Sequence, residues 1–147
     1  MGSWGKILML PIIALILLGS GSMVLAADKD VINYRQNIMK SIGANAGALG
    51  AIMQNKVSHA ENLALHAEAI SIGAQAALKA FEDEVVGGTA KAEVWENWKD
   101  FSDRFNALAI GAAAVAEAAR EGGMAAAGPK LGAMLVCKAC HDIYRTK

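Results

Sequence analysis

The sequence is poor in the residues that most other fold classes need. Aromatic side chains make up 5% of its 147 residues, and only two prolines occur. Strands draw on β-branched and aromatic residues, so a chain short of aromatics and filled out with alanine and glycine argues for closely packed helices. An excess of charge of one sign is also lacking, because Lys plus Arg and Asp plus Glu number 14 each. That balance offers no basic field to nucleic acid. Cysteine is scarce: Cys137 and Cys140 are the only two, three positions apart in one short motif. A disulfide framework is thereby excluded. The length suits one domain with a sizeable core and is short for two.

What is abundant is apolar residues, 54% of the chain, and some of them are concentrated at its start. Met1 to Lys6 carries one positive charge, and Ile7 to Leu18 is an apolar run of the length of a signal-peptide h-region. Gly19-Ser20-Gly21-Ser22 relaxes the chain, and Val24-Leu25-Ala26-Ala27 offers small residues to a signal peptidase. Residues 1–27 therefore read as a signal peptide and residues 28–147 as the mature domain. An uncleaved anchor is the alternative, but the run is short of the roughly 20 residues of a span, and the Gly/Ser break interrupts it. Without Lys6, the mature domain is one basic residue short of neutrality.

Four helical stretches follow. The first opens after Asp28 or Asp30, either of which suits a cap, and runs to about Gln54. Its inward stripe is Arg35, Met39, Ile42/Gly43, Ala46, Gly50 and Met53, at steps of three and four. Ser58-His59-Ala60-Glu61 has the spacing of a capping box and opens the second helix. Leu63, Ala67, Ile70, Ala74, Ala77/Leu78 and Phe81 form its apolar face, and Gly87-Gly88 ends this region. Thr89 suits the cap of the third, which carries Val94, Trp98, Phe101, Phe105 and Leu108 and fades at Gly122-Gly123. The fourth spans Leu131 to Arg145, with a start near Pro129. Short connections favour antiparallel neighbours, hence an all-α, up-and-down four-helix bundle.

The strongest chemical signal is Cys137-Lys138-Ala139-Cys140-His141. On a helix these cysteines and the histidine fall at i, i+3 and i+4, on one side. Two thiols there can bond to two vinyl groups along one haem edge, and the imidazole lies next on that face for the iron. The spacing is that of c-type haem attachment. A zinc site would need two further ligands at suitable spacing, and a dithiol redox pair would sit in an α/β pattern that is absent here. His59 and His66, seven apart with Glu61 and Glu68 nearby, read as a polar helix surface.

The tail Cys137-Lys138-Ala139-Cys140-His141-Asp142-Ile143-Tyr144-Arg145 resembles the C-terminus of the cytochrome c′ family. Tyr34-Arg35-Gln36 before a helix with Gly43, Gly47 and Gly50, and Val94-Trp95 before an aromatic-bearing helix, fit the same family. The likeness covers roughly residues 28–147. It implies a left-handed four-helix bundle, one covalent haem c packed between helices, and a periplasmic location without stable membrane insertion after cleavage. It implies that His141 is the proximal iron ligand. Arg35 matches the first-helix arginine that contacts a haem propionate, a bidentate pairing in principle, although a solvated surface cation is the alternative. Arg145 resembles the arginine beside the proximal pocket, or serves as a favourable charge near a helix C-terminus. Tyr144, Trp95, Trp98 and Phe101 either line the haem or fill the core.

Met39 lies four residues after Arg35, on the same helix face, at the position that in this family faces the open side of the haem. If its sulfur binds the iron, the site is six-coordinate and suited to electron transfer with small redox proteins. If it only packs there, the iron is five-coordinate and open to a diatomic gas such as NO or CO. Family members with Leu-Met-Lys here, similar to Ile38-Met39-Lys40, use the methionine as ligand; others do not. A peroxidase-like enzyme would want a distal acid–base residue, which Met39 does not supply. Electron carrier and gas binder are thus the two expectations, as monomer or homodimer.

Overall fold

Small residues at helical spacing allow helices to approach closely, and the chain uses them where its two central helices meet. The computed structural model describes residues 20–134 and 136–147, with side chains from Asp28 onward. Its helices are α1 (Ser20–Met53), α2 (Leu63–Ala80), α3 (Glu93–Glu96), α4 (Trp98–Ala127), α5 (Leu131–Met134) and α6 (Cys137–Tyr144), with 3₁₀ turns at Ala60–Asn62 and Gly128–Lys130. α2 packs between α1 and α4, α5 returns along α4, and α6 lies against α3 and α4. α1, α2, α4 and the combined C-terminal segment are the four members of the bundle.

The α2–α4 seam draws on buried alanines of both helices, Ala64, Ala67, Ala74 and Ala77 in α2 and Ala109, Ala112 and Ala116 in α4. Leu49, Leu63, Ile70, Val94, Val115 and Met134 are the large side chains wholly enclosed in the core, and each such burial contributes about 1.5–3 kcal/mol. Ser71, buried in the seam, donates its hydroxyl to the Ala109 carbonyl at 2.8 Å, so the polar atom is satisfied there. Gly111 is buried where α5 crosses: a Cβ on it would lie 3.3 Å from the Ala133 backbone. Gly123 takes φ +61° and, with Gly122, kinks α4 near its end. Only glycine adopts that conformation readily.

Several local expectations are corrected. α1 runs through Asp28 and Asp30, so neither caps it. The Ser58–Glu61 capping box does not form; His59 precedes a 3₁₀ turn without a side-chain cap, and its Nδ1 lies 3.3 Å from Glu61. Thr89 caps nothing, because the short α3 begins only at Glu93 and Asn97 separates it from α4. The expected fourth helix is two pieces, α5 and α6, with Val136 at the N-cap position of α6. Residues 1–19, most of the expected signal peptide, lie outside the described residues; residues 20–27 are helical in backbone. Among the described residues no helix is long and apolar enough to cross a membrane.

A helix as short as α6 is marginal alone, and its C-terminal end is tied down at several points. The Lys91 amide donates to the Tyr144 carbonyl at 3.1 Å, and the Thr146 amide to the Thr89 carbonyl at 2.9 Å. Lys91 Nζ donates to the Ile143 carbonyl at 2.7 Å. The Tyr144 hydroxyl donates to Asp100 at 2.5 Å, and Arg104 holds the same carboxylate at 2.6 and 3.2 Å. Tyr144 also meets Phe101 edge-to-face, ring centroids 5.1 Å apart, a pairing worth about 0.5–1.5 kcal/mol.

Two outcomes follow from this packing. Gly111→Val should lower unfolding stability by about 1–3 kcal/mol in a urea titration, since the added atoms overpack against α5 backbone. Burial, with Asp100 as second cause, pushes the Tyr144 phenol up to about 12. A folded-state value above the ordinary one near 10 contributes stability that is whole below about pH 10 and is lost as pH rises through about 12. Wild type should therefore lose more stability over that interval than Tyr144→Phe, measured by denaturant titration at each pH.

Candidate functional site

α6 presents Cys137, Cys140 and His141 to a single cavity whose other walls come from α1, α2, α4 and the loop before α3. The cavity is open at its mouth and lined mostly by apolar side chains, the character of small-molecule and cofactor sites. α1 contributes Met39, Ile42, Gly43 and Ala46. Phe81, Phe101, Phe105 and Leu108 supply apolar surface from α4 and the end of α2, and Thr89 and Ala90 come from the loop. Tyr144 and Arg145 complete the α6 side.

The chemistry of this lining fits a haem. Both cysteines are free thiols, Cys137 exposed and Cys140 half-buried, as attachment through two thioethers requires. Burial pushes the Cys140 thiol up, with Arg104 acting against it. Burial also pushes His141 down, helped by the Arg145 charge. A lowered imidazole is neutral at neutral pH and keeps a lone pair for a metal. Among the described residues no three or more His, Cys, Asp or Glu are grouped so as to hold a metal ion. The apolar walls suit a flat porphyrin, and the soft thioether of Met39 and the His141 imidazole are both iron-compatible donors.

The sequence-derived residues are distributed unevenly about this cavity. Cys137, Cys140, His141, Met39 and Arg145 all line it. Arg145 is exposed, with its backbone paired to Ala90. Arg35 stands behind the lining, 3% exposed, and its guanidinium has another occupation. Nε donates to the Ala80 carbonyl at 2.7 Å, Nη1 to Val85 at 2.6 Å and Nη2 to Asp83 at 2.5 Å. It is therefore no surface cation. Burial lowers its pKa, with Asp83 acting against that, and a guanidinium stays charged regardless.

Of the candidate aromatics, Phe101 and Tyr144 line the cavity, whereas Trp95 donates its indole N–H to the Phe81 carbonyl at 2.9 Å and Trp98 packs on Phe101. His66 pairs with Asn45 at 2.9 Å across α1 and α2, away from the site. Sequence reasoning passes over Arg104, which reaches the cavity beside Cys140. Its i,i+4 spacing from Asp100 is a visible signal; that the pair meets Tyr144 is not.

Known proteins resemble this chain in sequence and in fold. The chain is 32% identical over 124 residues to cytochrome c′ of Pararhodospirillum photometricum, covering 82% of this chain and 99% of that protein. It is 34% identical over 123 residues to cytochrome c-556 of Agrobacterium tumefaciens (strain II Chrys), covering 79% and 97%. Among solved structures, a nitric oxide complex of a cytochrome c prime variant from Alcaligenes xylosoxidans superposes with TM-score 0.73 at 24% identity, over 82% of this chain and 97% of that one. A carbon monoxide-bound variant of the same protein gives the same TM-score, identity and coverage. A family profile described as Cytochrome C′ matches residues 30–145. By that match and those relatives this chain belongs to the cytochrome c′ family, whose members carry one covalently attached c-type haem.

Proposed function

We propose that this chain is a periplasmic electron carrier whose haem is attached through Cys137 and Cys140 and whose iron is held by His141 and Met39. The observation that carries the reading is the place of Met39, a half-buried thioether on the α1 wall of the cavity that the CKACH helix lines from another side. In a helix a methionine side chain leans back over the preceding turn, and Gly43 and Ala46 add little bulk to that wall beside Met39 and Ile42. When bound, the haem supplies a one-electron couple, and thioether ligation raises its potential.

The protein's own residues serve such a couple by keeping the site fixed. Tyr144, Lys91 and Thr146 tether α6, so the thiols and the imidazole move little against the walls. The apolar lining keeps water away from the iron side of the cavity, which lowers the reorganisation a one-electron change demands. Among the described residues that line it there is no carboxylate and no histidine besides His141. We read the protein as a carrier rather than an enzyme, because Met39, the side chain that faces the CKACH helix from α1, is no acid–base group. The expected export supports the periplasmic assignment, and small redox proteins are the expected partners.

A second reading has one observation in its favour. The superposing Alcaligenes xylosoxidans proteins were solved with nitric oxide and carbon monoxide bound. In that reading Met39 packs over a five-coordinate iron that takes up a diatomic gas. Absorption spectra separate the two. Sharp split bands in the ferrous form and a methionine-to-iron charge-transfer band in the ferric form are expected of wild type, and Met39→Ala should abolish both. A broad high-spin spectrum that changes on adding CO to wild type would assign the gas-binding role.

A further inference from the structure

The charges of this chain are unevenly placed. Residues 128–147 carry four basic side chains, Lys130, Lys138, Arg145 and Lys147, against one acidic, Asp142. Residues 28–127 carry nine basic and thirteen acidic ones. The segment with the haem-attachment motif is therefore positive on a protein that is otherwise negative. Acidic side chains do stand beside it, on α3 and the start of α4. Glu93, Asp103 and Asp100 are each paired there with a cation of the same region, Lys91, Lys99 and Arg104. A haem carries its two propionates on the edge opposite its vinyl groups, so its own negative charges stand away from the thioethers.

One helix separates the attachment residues from solvent. The inner side of α6 presents Cys137, Cys140 and His141 to the cavity, and Lys138, Ala139, Asp142 and Ile143 are exposed. Lys138 follows Cys137 directly, about 3.8 Å along the Cα trace, and its side chain is 88% exposed. It pairs with Asp142 at 2.5 Å, an exposed i,i+4 contact of the kind that contributes little. Ala139 and Ile143, four apart, share one helix face, and Ile143 is 39% exposed. A small apolar centre inside a charged rim is the composition of a transient interface.

We propose that the outer face of α6 is the docking surface for an acidic redox protein. Ala139 and Ile143 form its centre, and Lys138 and Lys147 draw the partner's carboxylates to the thioether edge of the haem. The proposal rests on the electron-carrier reading above and names its partner's chemistry. One electron crosses there with no bond formed or broken: the haem iron passes from ferrous to ferric as the partner's centre is reduced by one electron. Attraction at this face and repulsion by the negative remainder orient the partner on approach.

The test mixes the reduced holoprotein with two small oxidants of opposite charge, hexacyanoferrate(III) and tris(phenanthroline)cobalt(III), at about 0.01 and about 1 M salt, where the Debye length is about 30 and about 3 Å. The rate with the anion should fall as salt rises, and the rate with the cation should rise. The net negative charge of the mature chain predicts the reverse, so an anion rate that rises with salt would overturn the proposal. At about 0.01 M salt Lys138→Gln should slow the anion about fivefold, because three probe charges act on one side-chain charge at about 10 Å. Asp142→Asn should speed it. Lys56→Gln makes the same change in net charge three residues beyond the end of α1, and should stay within about twofold of wild type. Equal effects at Lys138 and Lys56 would also overturn the proposal. Amide NMR spectra give a readout free of electron transfer: the redox-inert, paramagnetic hexacyanochromate(III) should broaden residues 137–147 first, and broadening centred elsewhere would contradict the assignment. The absorption spectrum of each sample reports the carrier reading separately, since a high-spin, CO-responsive spectrum counts against that reading and leaves the sign of the salt dependence to decide the surface.

Discussion

The structure depends on holding one short helix in register with a cavity it does not fill. α6 has eight residues, and its thiols and imidazole are useful only if they face a pocket of fixed shape. Its own backbone bonds cannot secure that. The Tyr144–Asp100–Arg104 network and the two-way backbone pairing with residues 89–91 fasten its C-terminal end to α4 and to the loop before α3. That loop is in turn fastened to α1 by Arg35, whose three donors span the chain from Ala80 to Val85. The site is thus framed from α1 through a loop to α6, although α1 and α6 sit at opposite ends of the sequence.

Aromatic packing gives this frame its stiffness. Phe81, Phe101, Phe105 and Tyr144 form a chain of tilted and edge-to-face contacts with centroids 5.1–6.1 Å apart. All four also line the cavity. Half of the few aromatic residues of this sequence are thus gathered on the wall of the cavity that receives the haem. The alanine-rich α2–α4 seam does the complementary work, bringing backbones close enough to build a rigid bundle with little side-chain bulk.

Much of this is legible in the sequence, and the exceptions have physical causes. The i, i+3, i+4 spacing of Cys137, Cys140 and His141 puts all three on one face of any helix that contains them, and the step from Arg35 to Met39 places that pair along one stripe of α1. Further along, Leu49 and Ile52 carry the burial where the pattern points to Gly50 and Met53: the buried positions Arg35, Ile42 and Leu49 recur every seven residues, the 3.5-residue period of a supercoiled bundle, whereas the expected stripe keeps the 3.6 of a straight helix. Helix ends are less legible. The Ser58–Glu61 pattern is overridden by a 3₁₀ turn, and the fourth helix breaks between Met134 and Cys137, since local propensity does not register the demands of tertiary packing. The occupation of Arg35 is not readable at all, because its partners are carbonyls, which every residue possesses.

In the proposed function, Met39 of α1 and His141 of α6 would both bind the haem iron. Iron-edge extended X-ray absorption fine structure of the ferric holoprotein tests it most directly. A sulfur scatterer in the first shell of the iron, alongside the nitrogen donors, is expected if Met39 binds. A first shell of nitrogen donors alone, with no sulfur, would contradict it.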